Sequence, residues 1–372
     1  MRALGLYIHI PFCKQKCNYC DFYSLGGCEK STIEEYIDCL CKQIEKEQEE
    51  YKDYTVDTIF LGGGTPSLVA PKDVKKLFAQ IYRCFKVEKC AEISIEINPG
   101  TVDEEKLKAY KSVGINRISI GLQSTSNKDL KALGRIHTYE VFLETYRQIR
   151  NMGFENVSVD LMYGLPDQKT ADFLNILEQV SDFQPEHISA YCLKIEENTP
   201  FGRIKDTLSL PTDEEEYETY LALCSFLEKK GYLQYEISNF SKAGFRSKHN
   251  LKYWLGEEYL GLGPGAHSFI GGKRFSYLPS LEKYISFPSK EYDKSDSILS
   301  AEDEYLMLRL RLSDGVDSRA FYLKFGKELT KTYPNIEKFI KSGHILADNG
   351  IYKLSTEGLF VSNYILTELF DI

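Results

Sequence analysis

IHIPFCKQKCNYCDFYS, residues 8–24, places Cys13, Cys17 and Cys20 directly after a strand-like apolar run. Three thiols at Cys-x3-Cys-x2-Cys spacing raise a question of coordination. Structural zinc takes four closed ligands, usually as two separated pairs. His9 lies nearby, but in the strand, four residues ahead of Cys13. A redox Cys-x-x-Cys pair leaves Cys13 unused. A cubane iron–sulfur cluster has four irons and normally takes four thiolates. Three protein thiolates leave one iron open to a substrate or cofactor. Taken singly, each cysteine reads as a small buried residue. Taken together at this spacing, the three read as a metal site.

Composition bounds the rest. The chain has 372 residues, 42% hydrophobic and 27% charged, which is the balance of a soluble globular protein with one large domain or a large and a small one. No apolar run reaches the length of a membrane span, and no signal-peptide pattern precedes the first strand. The expected location is the cytoplasm, where disulfides are rare, so the ten cysteines are not a disulfide framework. Cys28, Cys39, Cys41, Cys84, Cys90, Cys192 and Cys224 show no ligand spacing. The net charge of −9 excludes a basic nucleic-acid footprint. Twenty-six tyrosines and 21 phenylalanines fit a bulky core, a flat aromatic ligand, or both.

Strand-like runs at 5–10, 58–61, 92–97, 117–121, 156–162 and 187–193 alternate with amphipathic stretches at 31–50, 71–84, 103–113, 138–152 and 170–183. Such alternation predicts βαβ units and a parallel sheet. Six units are too few for the closed eight-stranded barrel, so the expectation is α/β, a partial (β/α)6 TIM-like barrel. Ligands bind at the C-terminal ends of parallel strands. The cysteine loop, GGGTP at 62–66, Glu96–Asn98, Gln123–Ser124 and Asp160 all fall at such ends and should share one mouth. GGGTP lacks the Gly-Lys-Ser/Thr of a phosphate loop. It reads as a tight turn or as close backbone approach to a ligand. The expected division is a core over 1–240, a segment with HNLKYW and glycine-rich strands over 241–299, and a small winged-helix-like module over 300–372. The stretch 280–300 reads as a linker. Residues 301–372 carry nine Lys/Arg against eleven Asp/Glu, so packing rather than DNA binding is expected of them.

The cysteine spacing, with Tyr19 just before the last cysteine and a partial barrel behind it, resembles the radical S-adenosylmethionine superfamily. The resemblance implies a [4Fe-4S] cluster on Cys13, Cys17 and Cys20, whose open iron chelates S-adenosylmethionine. It also implies contacts to that cofactor from Tyr7, Tyr19, Gly63, Gly64, Thr65, Glu96, Gln123, Arg135 and Asp160. Carboxylate and amide groups suit ribose hydroxyls, and a guanidinium suits a carboxylate.

YIHIPFC, GGGTPS, EINPG, RISIGLQS, VDLMYGLP and GLGPGAHS together are similar to the oxygen-independent coproporphyrinogen oxidase group. The likeness extends to the C-terminal HemN-like module. Oxidases of that group carry a fourth cysteine two residues after the third, and a long N-terminal extension. Here Phe22 stands at that position, and twelve residues precede Cys13. Lacking both, the chain resembles the group's heme-chaperone branch, which carries an H-N-x-x-Y-W motif, here His249 to Trp254. The resemblance implies heme binding with His249 as axial ligand and Tyr253 and Trp254 packed on the macrocycle; His267 is a weaker candidate. It further implies transfer of heme to apo-hemoproteins such as respiratory enzymes or bacterioferritin, peripheral work at the inner face of the cell membrane, homodimerisation, and no oxidase activity. The alternative is radical oxidative decarboxylation of coproporphyrinogen III.

Overall fold

The computed structural model describes residues 2–286, 288–292 and 300–370. Six parallel strands lie side by side in chain order: β1 (Arg2–Ile10), β2 (Tyr54–Gly63), β3 (Val87–Ile97), β4 (Arg117–Gln123), β5 (Asn156–Tyr163) and β6 (His187–Cys192). The crossovers are α1 (Lys30–Glu47), α2 (Pro71–Cys84), α3 (Glu104–Ser112), α4 (Tyr139–Asn151) and α5 (Thr170–Ser181). These are the predicted elements, with ends moved by a few residues. Each strand turns its aliphatic positions, such as Ile93, Ile95 and Ile97, into the buried core that the helices cover. Burying one such side chain contributes about 1.5–3 kcal/mol.

The alternate positions are polar. Glu92, Ser94 and Glu96 of β3, Arg117 and Ser119 of β4, Ser158 and Asp160 of β5, and His187 and Ser189 of β6 face the inside of the curved sheet. Hydrogen bonds tie this interior together. Ser119 donates to both Asp160 oxygens (3.1 and 2.9 Å), Ser158 pairs with His187 Nδ1 (2.8 Å), and His187 Nε2 with the Tyr235 hydroxyl (2.9 Å). A TIM barrel usually fills its interior with branched aliphatic side chains. A polar interior leaves room for a ligand instead.

Residues 241–299 were expected to stand apart from the core. Their strands instead extend the main sheet. Strand β7 (Tyr259–Leu262) pairs in parallel with β1, Gly5 opposite Tyr259 and Ile8 opposite Leu262. His267–Ile270, Lys273–Tyr277 and Lys290–Tyr292 add antiparallel strands beyond it. An uncovered β1 would present a row of unpaired backbone groups, and this pairing removes that edge. The expected linker is partly ordered as well: Leu281–Ser286 is helical, with Leu281 and Tyr284 buried. Residues 287 and 293–299 of that stretch lie outside the described residues.

After α6 (Asp213–Lys229), helix α7 (Lys248–Leu255) closes the bottom of the barrel. Its first amides, on Lys248 and His249, both donate to buried Glu92 (3.1 Å each). A carboxylate at a helix N-terminus meets unsatisfied N–H groups and the positive end of the helix dipole. The C-terminal module begins at helix Ala301–Leu310 and holds a three-stranded sheet of Val316–Asp317, Ile351–Leu354 and Ile345–Asp348. It attaches to the barrel near Tyr235, where the Ser313 amide donates to the Tyr235 carbonyl (3.0 Å) and Glu236 bridges to Leu312.

Four histidines are buried, and burial lowers the pKa of each: His9, His137 (to about 4), His187 (well below its ordinary value) and His249 (to about 3). The unfolded chain takes up protons on these rings near pH ~6.5, while the folded protein does not. Each therefore stabilises the fold above that pH and loses its contribution as pH falls. The His187→Gln variant cannot titrate there. In urea melts its stability deficit relative to the parent should shrink as pH is lowered from neutral towards 5; a constant deficit contradicts the assignment.

Candidate functional site

The C-terminal strand ends open onto a cavity of about 590 Å³. Cys13, Cys17 and Cys20 line it, and so do eight of the nine residues expected at S-adenosylmethionine: Tyr19, Gly63, Gly64, Thr65, Glu96, Gln123, Arg135 and Asp160. The ninth, Tyr7, does not line it. Its ring lies deeper, and its hydroxyl pairs with His9 Nδ1 (3.0 Å). That places Tyr7 beneath the floor of the cavity rather than in it.

The cysteine loop is held on both sides. Asn18, between the second and third cysteines, receives the Phe201 amide on its carbonyl (2.9 Å). It also donates its own amide to Leu133 (3.0 Å) and its side chain to Ala132 (2.9 Å). The glycine stretch runs along the other side. The amides of Gly64 and Thr65 donate to the carbonyls of Ile10 and Phe12 (2.9 and 2.7 Å). Gly63 has φ +109°, and a Cβ there would lie 2.5 Å from the His9 ring. A Cβ on Gly64 would lie 2.7 Å from the Phe12 carbonyl oxygen. These glycines permit one strand end to press against another.

Between the thiols runs an arc of hydrogen bonds. Thr65 donates to Cys13 Sγ (3.6 Å), the Asn98 amide donates to Thr65 (2.8 Å), Arg135 donates to Asn98 Oδ1 (2.7 Å), and Arg135 reaches Cys17 Sγ (3.5 Å). Asn98, at the EINPG strand end, was expected at the mouth but was given no cofactor contact. Cys192 and Tyr191, on the opposite wall, were missed too. Their strand end carries no glycine or carboxylate to mark it.

The donor set fits a cluster. The three thiols are partly exposed to one cavity and form no disulfide. Among the described residues no three Cys, His, Asp or Glu side chains close on a single ion position. A multinuclear cluster does not ask for that, because each thiolate takes a different iron.

The residues expected at heme lie elsewhere. His249 has no exposed surface, and both ring nitrogens are engaged: Nδ1 with the Thr58 hydroxyl (2.9 Å), Nε2 with the Tyr253 hydroxyl (3.0 Å). The imidazole expected as an axial ligand thus spends both ring nitrogens on hydroxyls in this structure. Tyr253 spends its hydroxyl on His249, and Trp254 packs under Arg311 (5.8 Å). His267 sits exposed on an added strand. None of the four lines the cavity.

Four carboxyls line the cavity, Asp21, Glu96, Asp160 and Glu196, and two of them, Glu96 and Asp160, are strand residues. Burial, then the charge of Asp160, raises Glu96 to about 8, against the opposing N–H of Gly63 (3.1 Å). Burial also raises Asp160, opposed by hydroxyls of Ser189, Ser119 and Ser158. Glu96 in the folded protein keeps a proton that the unfolded chain gives up at its ordinary carboxylate pKa. Its contribution to stability is therefore present at low pH and lost as pH rises towards 8. In cofactor-free protein, Glu96→Gln should match the parent melting temperature near pH ~4.5 and exceed it at pH 8. An advantage that grows on acidification instead would overturn this.

The Radical SAM superfamily pattern matches residues 7–180, and the HemN C-terminal domain pattern matches residues 303–361. The protein named Heme chaperone HemW in Bacillus subtilis (strain 168) is 35% identical over 365 residues, covering 96% of this chain and 94% of its own. Its namesake in Escherichia coli (strain K12) is 34% identical over 373 residues, covering 99% and 98%. Among solved structures, the radical SAM enzyme coproporphyrinogen III oxidase (HemN) from Escherichia coli superposes with a TM-score of 0.85 over 99% of this chain and 90% of that one. The identity there is 21%, so the likeness is one of fold. Sequence likeness along nearly the whole length, together with the two matched domains, places this chain in the HemW family of the radical SAM superfamily.

Proposed function

We propose that this chain is a heme chaperone: it binds heme and passes it to apo-hemoproteins, on a scaffold that carries a [4Fe-4S] cluster and S-adenosylmethionine. The reading is carried by full-length identity of about a third to proteins named as heme chaperones. Cys13, Cys17 and Cys20 would hold the cluster, whose open iron supplies the binding point for the cofactor. Around it, Gly63 and Gly64 offer backbone for close approach. Glu96 and Asp160 would offer oxygens to ribose hydroxyls. Arg135 offers a guanidinium for a carboxylate.

For the macrocycle, the rim of the cavity is a better place than His249. Phe22 stands there 68% exposed, at the position where the related oxidases carry a cysteine, and Tyr191 is 41% exposed on the facing wall. Exposed aromatic faces beside an open cavity suit a flat apolar ligand. Lys16 and Lys194, on the same rim, can pair with its carboxylates. Apo-respiratory enzymes or a bacterioferritin are the proposed recipients, reached at a membrane surface. Among the described residues no helix is long and apolar enough to cross one.

The second reading, radical decarboxylation of coproporphyrinogen III, is favoured by the fold shared with the oxidase. One preparation separates the two. Anaerobically reconstituted protein should give a Soret band on heme titration, weakened by Phe22→Ala, and no decarboxylated product from coproporphyrinogen III. Turnover to product would make this a short oxidase. No heme binding and no product would remove both readings.

A further inference from the structure

We infer that His249 is a positioning residue for the cofactor cavity, acting through a buried column of rings that ends on the cysteine loop. The inference rests on the cluster and S-adenosylmethionine assignment above.

The column starts at the barrel floor. Glu92 pins the first turn of α7, which fixes where His249 enters the barrel. Its ring is clamped by Thr58 on one nitrogen and Tyr253 on the other. It then stacks on Phe60 (centroids 5.3 Å apart, 25° between planes) and on Tyr7 (6.5 Å, 30°). The Tyr7 hydroxyl holds His9 Nδ1 (3.0 Å), and His9 Nε2 holds the carbonyl of Tyr23 (2.9 Å). Tyr23 lies three residues beyond Cys20 in the cysteine loop. The same His9 ring is the surface that leaves no room for a Cβ on Gly63. One end of the column therefore touches the cysteine loop at Tyr23 and the glycine stretch at Gly63, and the other end is the H-N-x-x-Y-W helix.

Packed interiors pass on displacements because they hold few voids. Removing the imidazole leaves the Thr58 and Tyr253 hydroxyls without their partner and frees the Tyr7 ring to tilt. Tyr7 in turn sets His9, and His9 sets both the loop carbonyl and the seat of the glycine stretch. His249 would thereby affect cluster geometry and S-adenosylmethionine affinity while touching neither group.

The test uses full-length, anaerobically reconstituted protein and three variants: His249→Ala, His249→Gln and Tyr7→Phe. Two properties are read on each: the electron paramagnetic resonance of the reduced cluster titrated with S-adenosylmethionine, and the Soret maximum and heme Kd. Tyr7→Phe breaks the column one step away from His249 and keeps the ring. We expect His249→Ala and Tyr7→Phe to weaken S-adenosylmethionine binding by about tenfold, and His249→Gln to recover part of the loss. The Soret maximum should stay in place in all three. A shifted Soret maximum in His249→Gln, with parental S-adenosylmethionine affinity, makes His249 a heme ligand and overturns the inference. Parental behaviour of the cluster signal in all three variants overturns it as well. If His249→Ala fails to fold, Tyr7→Phe and His249→Gln decide by the same criteria. A parent that binds no heme refutes the chaperone reading, while the cluster signal still tests the column.

Discussion

The polar lining of the partial barrel is the constraint on which the rest of the structure depends. An open sheet of six βα units can present alternate residues inward only if those residues find partners, because a buried polar group without one is costly. Here most inward positions are met by a neighbour on the next strand or by the helix beneath, while Ser94 Oγ and Arg117 Nε are buried without a hydrogen-bond partner. Asp160 draws on Ser119 and Ser158, and His187 joins Ser158 to Tyr235. Glu92 is satisfied by the start of α7. Arg117, almost wholly buried, stands opposite Ser94 in the strand register and favours the ionised forms of Glu96 and Asp160. The floor helix is thus a requirement of the lining. Without α7, Glu92 would sit in the interior with no donors.

A second consequence concerns the cysteine loop. A loop that presents three thiols must be rigid without being filled, since a packed loop would leave no cavity. The structure meets this by anchoring backbone. Asn18 ties one side through main-chain bonds, and GGGTP lies against the other with its glycines in contact. The arc through Thr65, Asn98 and Arg135 then sets two sulfurs relative to one another, from two strand ends and the turn after the helix Asn127–Ala132. Donors to cluster sulfurs are among the levers that tune such groups.

Much of this was legible in the sequence. The βα alternation gave the six strands in order, and the rule that ligands sit at C-terminal strand ends gathered the cysteines and eight of nine cofactor candidates into one cavity. What failed has physical reasons. Tyr7 and His9 share one strand face, and sequence does not say how deep along that face the cavity ends. Strand β7 pairs with β1 across most of the chain, and no local pattern reports so distant a partner. Asn98 reads only as the end of a strand because its partners Thr65 and Arg135 belong to other segments of the chain. The hydroxyl partners of His249 were not legible, because a histidine in a motif reads the same whether its nitrogens face a ligand or two hydroxyls.

The spacing of that motif nevertheless encodes what the structure does with it. On an α-helix, positions i and i+4 share a face, so His249 and Tyr253 meet and bond side chain to side chain. Position i+5 is turned by roughly 100° from i+4, which carries Trp254 off that face to the Arg311 guanidinium of the C-terminal module. One short helix thus faces two ways, into the barrel and towards the module. For His249 to leave this arrangement and coordinate iron, Thr58 and Tyr253 would each lose a buried partner, at about 1–3 kcal/mol apiece. Glu92 would also lose its donors if the helix moved with the ring. Heme coordination would have to offset all of these losses together, whereas an exposed Phe22 at the cavity rim needs no such rearrangement.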